Sequence, residues 1–303
     1  MEGVQYLLHH QVNKQEWDKC ISSAGNGLIY AQSFYLDAMS KQWDALVLNN
    51  YEAVMPLTFN KKYGIYYLYQ PPFTAALGVF GNTISTALLQ QFLSAVPQKF
   101  KYWDIYLNFG NYFKLPNFEL YERMNFTLQL NTSYEQLFGN FKESTQRNIK
   151  KFEQLKGIIK KDIPVKEVIA LSKQQSAAYS TLTDEDFERI AGLYNLLQSK
   201  NAAITYGAYC NERLVASAAF FIDEKRSYYI LVGNHPDGKT IGASHALINA
   251  FIKDYAGQNL ILDFEGSDIH SVAFFYSSFG ATEEKYCGIK LNRLPKLLQL
   301  LKK

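Results

Sequence analysis

The chain has few cysteines, little net charge and no histidine motif. Its three cysteines, Cys20, Cys210 and Cys287, are far apart and form no CxxC pair, which disfavours a disulfide framework and a cysteine zinc site. The formal net charge of +3 at pH 7 is too small to indicate nucleic acid or an anionic membrane by itself. The five histidines show neither HxxxH nor HExxH spacing, which disfavours metal catalysis.

Long apolar runs are also lacking. No segment reaches the roughly 18 apolar residues of a membrane span, and the first twenty residues contain no apolar signal-peptide core. Because the cysteines form no pairing pattern, a reducing compartment fits best, and we expect a cytoplasmic protein without a membrane span. Aromatic residues, in contrast, are abundant at 15%, with 22 Tyr and 21 Phe, which favours a strand-rich core.

Strand and helix patterns occur in the same order in the two halves of the chain. Each half shows a strand meander, a helix, a further strand and a final strand. Residues 53–55 correspond to 215–217, and residues 66–67 to 228–229, at an offset of about 160 residues. The repetition indicates one unit that occurs twice, with a boundary predicted between residues 130 and 131.

The second half places a polar loop between a strand and a helix. Strands are predicted at 203–210, 214–222 and 227–233. The loop that ends at Lys239 leads into a helix predicted at about 241–256, and the N–H groups and dipole at such a helix start favour an anion. Lys239 adds positive charge, and small residues would let a phosphate approach closely: Gly238, Gly242, Ala243 and Ser244.

This order of elements resembles the GNAT acyltransferase fold. The pyrophosphate loop of that family commonly reads Arg/Gln-x-x-Gly-x-Gly/Ala, and the corresponding stretch here runs from Lys239 to Ser244 as KTIGAS. Gly242 matches the pattern outright, and Lys239 and Ser244 replace its two ends. The resemblance implies acyl-CoA, in the first place acetyl-CoA, as the donor. It assigns donor binding to Val232, Gly233, Lys239, Gly242, Ala243 and Ser244.

A later stretch is similar to FemAB-like proteins and to the related BioF2-like acetyltransferases. The segment ILDFEG…FFYSSFG joins a strand that ends in carboxylates to a short aromatic helix before Gly280. The basic helix that contains Arg147 also looks like the Arg-x-Ile-Lys-Lys helix of these families. The resemblance covers about residues 135–292.

Taken over the whole chain, the resemblance implies an α/β fold, with an α+β order of strands. Two tandem GNAT-like domains would each contain a mixed, mostly antiparallel sheet. We expect residues 1–130 to form a diverged domain on the acceptor side and residues 131–303 to form the donor domain, with the acceptor in the cleft between them.

Three residues are candidates for proton transfer. Asp263 and Glu265 lie near the end of a predicted strand, and alternation puts both on one face if the strand continues that far. Either could take the proton of an attacking amine, or one could cap the next helix while the other binds a substrate ammonium. Tyr276 could protonate a leaving thiolate, as some GNAT tyrosines do, or could belong to the core with Phe275.

Basic residues offer a substrate-binding position. Arg147 and Lys151 are spaced i, i+4 and could hold one anion together. The simpler interpretation is a solvated helix face, and the sharper one is a substrate phosphate, a nucleotide-linked precursor or RNA. A surface or capping role is favoured over catalysis for the lone histidines His235, His245 and His270.

Three functions compete at this point. The first is an N-acyltransferase that moves an acyl group from acyl-CoA to a small-molecule or peptide amine by direct attack, without a metal. The second is a FemAB-like aminoacyltransferase that uses aminoacyl-tRNA to modify a peptidoglycan precursor. The third is an inactive GNAT-fold binding protein. The incomplete pyrophosphate motif favours the last two, whereas the missing helical arm of some aminoacyl-transferring members disfavours the second.

Overall fold

The computed structural model describes residues 3–177, 181–266 and 268–295. Within these ranges the helices are α1 Lys14–Ser23, α2 Ser33–Met39, α3 Thr86–Ala95, α4 Tyr134–Gly139, α5 Glu143–Gln154, α6 Val165–Ser176, α7 Asp184–Gln198, α8 Pro236–Thr240, α9 Ala243–Tyr255 and α10 His270–Ser277. The strands are β1 Val4–Leu7, β2 Gln42–Leu48, β3 Ala53–Lys62, β4 Ile65–Tyr69, β5 Phe80–Gly81, β6 Phe100–Leu107, β7 Leu120–Gln129, β8 Ile158–Lys161, β9 Ala203–Cys210, β10 Arg213–Ile222, β11 Arg226–Asn234, β12 Ile261–Asp263 and β13 Thr282–Asn292.

The chain forms two units. The first consists of the described residues of Met1–Arg123 and Lys285–Lys303, and the second consists of those of Met124–Glu284. This division differs from the boundary expected after residue 130, because the end of β7 belongs to the second unit and most of β13 belongs to the first. Residues 127–129 of β7 pair with β12 in the second unit, and residues 287–292 of β13 pair with β6 in the first.

The first unit contains a mixed sheet in the order β1-β2-β3-β4-β6-β13. Only β4 and β6 are parallel, and their neighbours pair antiparallel. Helix α3 buries Leu89 and Phe92 in the same core as Phe100 and Trp103 of β6. Each such side chain contributes about 1.5–3 kcal/mol through its removal from water, so this cluster stabilises the packing of α3 against the sheet.

The second unit repeats the same succession of pairings in the order β7-β12-β11-β10-β9-β8. Strands β11 and β12 are parallel, and the other neighbours are antiparallel. Helix α9 covers one face, where the ring of Phe251 stacks on Phe220 at a centroid distance of 3.9 Å. The GNAT-like α/β fold expected from the element order is therefore confirmed, with the parallel pair β11 and β12 at its centre.

The hairpin between β9 and β10 shows why the strand pattern was readable. Asn211 and Glu212 form the turn, with φ angles of 50° and 63°, and Cys210 pairs with Arg213 across it. Two consecutive positive φ angles are the signature of a two-residue hairpin turn that matches the strand twist. The break between the strands predicted at 203–210 and 214–222 is therefore a hairpin turn.

Candidate active site

The parallel strands β11 and β12 pair over only three residues. Residues 226–228 lie opposite residues 261–263. Strand β12 ends there, whereas β11 continues to Asn234. Among the described residues, one edge of β11 therefore has no strand beside it, and its main-chain groups can face a ligand.

A β-bulge determines which main-chain groups face this open edge. Tyr229 pairs with Phe220 and Leu231 pairs with Ala219, so Ile230 is one extra residue on β11. A bulge of this kind bends the strand and reverses the direction in which the following amides point. The amides beyond the bulge are therefore out of phase with those that pair with β12.

Two amides point to the open edge beyond the bulge. His235 donates its N–H to the carbonyl of Val215 on β10 at 2.9 Å, so the preceding residue, Asn234, directs its N–H away from β10. Because strand residues alternate, the N–H of Val232 lies on the same side as that of Asn234. The open edge thus presents two amides spaced two residues apart.

A cavity of about 380 Å³ lies at this edge. Strand β11, the end of α6, the start of α9 and the helix α10 form its walls. Four residues that the sequence predicted for the site line it: Val232, Lys239, Ser244 and Tyr276. The other seven lining residues were absent from that predicted set: Gln175, Tyr229, Asn234, His245, Ser271, Val272 and Phe275.

The first turn of α9 is the electropositive end of the cavity. Gly242 is its N-cap, and Ala243, Ser244 and His245 follow. The N–H groups of a first turn have no partner within the helix, and the helix dipole favours an anion there. Ser244 also donates a hydrogen bond from Oγ to Oδ1 of Asn234, which ties the start of α9 to the end of β11.

Gly242 is required by helix packing. It has a φ of +81°, and a Cβ added to it would lie 2.2 Å from the carbonyl oxygen of Asn148 in α5. The close approach that this glycine permits is therefore between α5 and α9. The sequence had assigned it to the approach of a phosphate.

Replacement of Gly242 by alanine is expected to lower the free energy of unfolding by about 1–3 kcal/mol more than Gly257→Ala does. Gly257 has a φ of +82° but nothing within 4 Å of its added Cβ, so its variant bears only the left-handed cost of about 1–2 kcal/mol. Gly242→Ala adds overpacking against α5, which typically costs about 1–3 kcal/mol. Urea unfolding followed by circular dichroism measures both, and equal losses would contradict the packing role.

Gly233 and Ala243 are buried packing positions as well. A Cβ on Gly233 would lie 2.7 Å from the backbone nitrogen of Ser172 in α6, and the amide of Gly233 faces β10 by alternation. Ala243 is fully buried. Of the pair predicted on β11, Val232 is therefore the residue whose amide faces the cavity.

Tyr276 contributes a phenolic hydroxyl group to the cavity. Its ring stacks on Phe264 at 4.7 Å and meets the ring of Tyr229 at 6.4 Å. Burial raises the pKa of Tyr276, and the nearby charge of Glu265 raises it further. The hydroxyl therefore remains protonated at neutral pH and can donate its proton to a stronger base.

His245 is a neutral member of the site. Its ring meets Phe275 edge-on at 4.8 Å, and its Nε2 lies 3.4 Å from Nδ2 of Asn148. Burial lowers the pKa of His245 to about 4, so the imidazole carries no charge at pH 7. Since it belongs to the first turn of α9, it can form hydrogen bonds there without adding charge.

Asp263 and Glu265 lie in different environments. Asp263 is 4% exposed, and its two oxygens accept hydrogen bonds from Arg226 at 2.8 Å and Asn125 at 2.9 Å. Proton acceptance by Asp263 would therefore require this network to break. Strand β12 ends at Asp263 and Glu265 has a φ of +62°, so the alternation does not extend to Glu265, the carboxylate whose charge reaches Tyr276.

Arg147 and Lys151 do not form a shared anion clamp in this structure. Lys151 donates from Nζ to the carbonyl oxygen of Thr240 at 2.8 Å. The side chain of Arg147 is 75% exposed and lies 4.0 Å from Glu143. Lys151 thus holds the end of α8, and Lys239 is the cation that lines the cavity.

The described residues contain no group of three His, Cys, Asp or Glu side chains arranged to hold a metal ion. No helix among them has the length and apolar character needed to cross a membrane.

Residues 139–269 match the family model described as an acetyltransferase (GNAT) domain. The second unit is a GNAT acyltransferase domain. The matched segment includes the open edge of β11 and the start of α9, whereas the α10 wall of the cavity, with Tyr276, follows it. A comparison with curated proteins gives no match.

Solved structures share the fold of the whole chain. FemX is 12% identical, with a TM-score of 0.67 over 99% of this chain and 100% of that chain. A Bacteroides thetaiotaomicron protein of unknown function is 11% identical, with a TM-score of 0.59 over 95% and 99% of the two chains. The C-terminal domain of an Agrobacterium fabrum lysylphosphatidylglycerol synthetase is 10% identical, with a TM-score of 0.54 over 86% of each chain.

At such identities these structures establish the fold, and the GNAT domain establishes the class. The resemblance to FemAB-like GNAT proteins is confirmed on both grounds. The chain thus contains a GNAT acyltransferase domain, and its donor and acceptor belong to the proposals that follow.

Proposed function

We propose that the chain transfers an acyl group, acetyl in the simplest case, from acyl-CoA to an amine carried by a small molecule or a peptide. The open edge of β11 carries this proposal, because the amide of Val232 faces the cavity that the Tyr276 side chain also lines. A thioester carbonyl that accepts the N–H of Val232 would be polarised as negative charge develops on its oxygen. The amine nitrogen can then attack the carbonyl carbon directly.

Tyr276 and Glu265 are the proposed proton carriers. As the carbon–sulfur bond breaks, the Tyr276 hydroxyl, which lines the cavity, protonates the leaving thiolate. Glu265 receives the proton that the amine loses and lies close enough to Tyr276 for its charge to influence that hydroxyl. The proton on Glu265 then returns to the Tyr276 oxygen, directly or through water, so both residues are restored and the reaction is balanced without a metal.

The start of α9 is the proposed site of the CoA diphosphate. Its N–H groups and dipole favour negative charge, and Lys239 lines the same cavity. The pantetheine arm would then run along β11 from the acyl group at Val232 toward α9.

Introduction of a negative charge by Ser244→Glu is expected to weaken acetyl-CoA binding about tenfold, because about 1.4 kcal/mol of repulsion at the helix start has that effect. Isothermal titration should give one acetyl-CoA per wild-type chain. Ser94→Glu is the matched control, since Ser94 is exposed on α3 of the first unit. Failure of the wild type to bind acetyl-CoA, or equal affinities of the two variants, would overturn the proposal.

A second candidate is aminoacyl transfer from a charged tRNA. Exposed basic residues on α5 and in the segment up to β8 favour it: Lys142, Arg147, Lys150, Lys156 and Lys160. Phosphate contacts make binding fall steeply with salt. Salt-dependent binding of charged tRNA that competes with acetyl-CoA would favour this donor, and the absence of competition would exclude it from the cavity.

A further inference from the structure

The side chain of Gln175 accepts a hydrogen bond from one of the two backbone amides at the open edge of β11. Its Oε1 accepts the N–H of Asn234 at 2.6 Å, and the side chain lines the cavity. The amide of Val232, two residues earlier on the same side of the strand, is the other. The two amides that a bound donor could use are therefore not equivalent.

Packing fixes Gln175 in this position. Gln175 lies in the last turn of α6, and α6 approaches β11 so closely that a Cβ on Gly233 would lie 2.7 Å from the nitrogen of Ser172. Leu171 and Ser172 are buried in the same contact. The glycine on β11 thus allows the approach of α6, and that approach brings the Gln175 oxygen to Asn234.

A pantetheine arm would compete for this amide. Pantetheine contains two amides, and an extended amide chain binds a strand edge as an added strand does, through main-chain groups two residues apart. With the thioester carbonyl at Val232 and the diphosphate at α9, the arm would pass Asn234. Its nearest amide carbonyl would then need the N–H that Gln175 now accepts.

We infer that Gln175 is a donor-specificity residue, and this assignment rests on the proposed function. The hydrogen bond from the Asn234 N–H to Gln175 must break before the pantetheine arm of an acyl-CoA can pair with the open edge. A donor without an amide next to its reactive carbonyl, such as an aminoacyl ester of a nucleotide, meets no such competition. Gln175 therefore weakens acyl-CoA binding selectively through the pantetheine arm.

Gln175→Leu is expected to tighten acetyl-CoA binding about three- to tenfold. This range corresponds to the free energy of one hydrogen bond, which acetyl-CoA no longer has to break when leucine replaces Gln175. Its affinity for 3′-phosphoadenosine 5′-diphosphate, which lacks the pantetheine arm, should not change. Gln174→Leu is the matched control, because Gln174 is the neighbouring residue of the same type and is exposed. Isothermal titration measures all three proteins with both ligands.

Gln175→Glu gives a second test that does not depend on the leucine variant. It keeps an oxygen that accepts the N–H of Asn234, so acetyl-CoA should bind as weakly as to the wild type or more weakly. An unchanged or weaker acetyl-CoA affinity in Gln175→Leu would overturn the inference while the wild-type affinity still supports the donor. Lack of acetyl-CoA binding by every folded variant would overturn the proposed donor itself.

Discussion

Tyr276→Phe is expected to lower kcat by roughly 10²–10³-fold, the contribution of a positioned proton donor. The KM for acetyl-CoA should change less than about threefold, because the phenyl ring keeps the stacking contact with Phe264. The reason for the loss is specific. The hydroxyl of Tyr276 lines the same cavity as Val232 and is protonated at neutral pH, so its removal deletes the group proposed to protonate the thiolate as it leaves.

Release of free thiol from acetyl-CoA in the presence of a panel of peptide amines measures this effect. Tyr134→Phe is the matched control, since burial also raises the pKa of Tyr134, and its hydroxyl bonds Asn249 at 3.0 Å outside the cavity. The control should retain wild-type kcat. A fully active Tyr276→Phe enzyme, or an equal loss in both variants, would show that the cavity hydroxyl is not the proton donor.

Arg226→Ala is expected to reduce the free energy of unfolding by about 3–5 kcal/mol, because it leaves buried carboxylates without their partner. Arg226 is 5% exposed. Its guanidinium donates to Asp263 at 2.8 Å and to Glu284 at 2.6 Å. The two carboxylates raise the pKa of Arg226 further above its ordinary value despite its burial, so the arginine remains charged at any pH at which the protein folds.

Arg213→Ala is the matched control on the neighbouring strand. The side chain of Arg213 is 58% exposed and lies 3.3 Å from Asp237, and exposed pairs of this kind contribute at most about 1 kcal/mol. Urea unfolding of the two variants should therefore differ by at least about 2 kcal/mol. Equal stabilities would contradict the structural role of the Arg226 network.

The Arg226 network also connects the fold to the chemistry. Asp263, which Arg226 holds, accepts the backbone N–H of Glu265 at 2.8 Å. This bond stabilises the left-handed turn that brings the Glu265 charge near Tyr276. The ion pair between Arg226 and Asp263 thus positions Glu265 after the end of β12. The sequence alone had left Asp263 and Glu265 as alternative proton acceptors.

Local features of the sequence predicted local features of the structure. Thr183 and Asp186 have the three-residue spacing of a capping box, and α7 begins with both reciprocal bonds, at 3.2 and 2.8 Å. Ile149 and Phe152 are spaced three residues apart and are both buried in α5, the basic helix expected around Arg147. Such signals are readable because they depend on neighbours three or four residues away.

Contacts between distant segments decide the rest of the site. Asn234 and Gln175 are 59 residues apart, and Asp263 and Arg226 are 37 apart, so neither pair leaves a local pattern. The bulge at Ile230 likewise depends on the register between β10 and β11. For this reason the sequence alone left Asp263 and Glu265 open to proton acceptance by either one, or to a capping role for one and ammonium binding by the other.

Helix α6 was missed although a local signal exists. Pro164 precedes its first residue, and Val168 and Leu171 are buried three positions apart on one face. A proline before a short apolar period is a helix-start pattern. That pattern could have placed a helix before residue 177, but it could not have placed Gln175 at the edge of β11.

A crystal structure with acetyl-CoA bound tests the central claim most directly. The account predicts one molecule in the cavity of the second unit, with the thioester oxygen about 3 Å from the backbone nitrogen of Val232 and the diphosphate at the first turn of α9. Acetyl-CoA bound elsewhere, or bound with its thioester oxygen directed away from Val232, would contradict it.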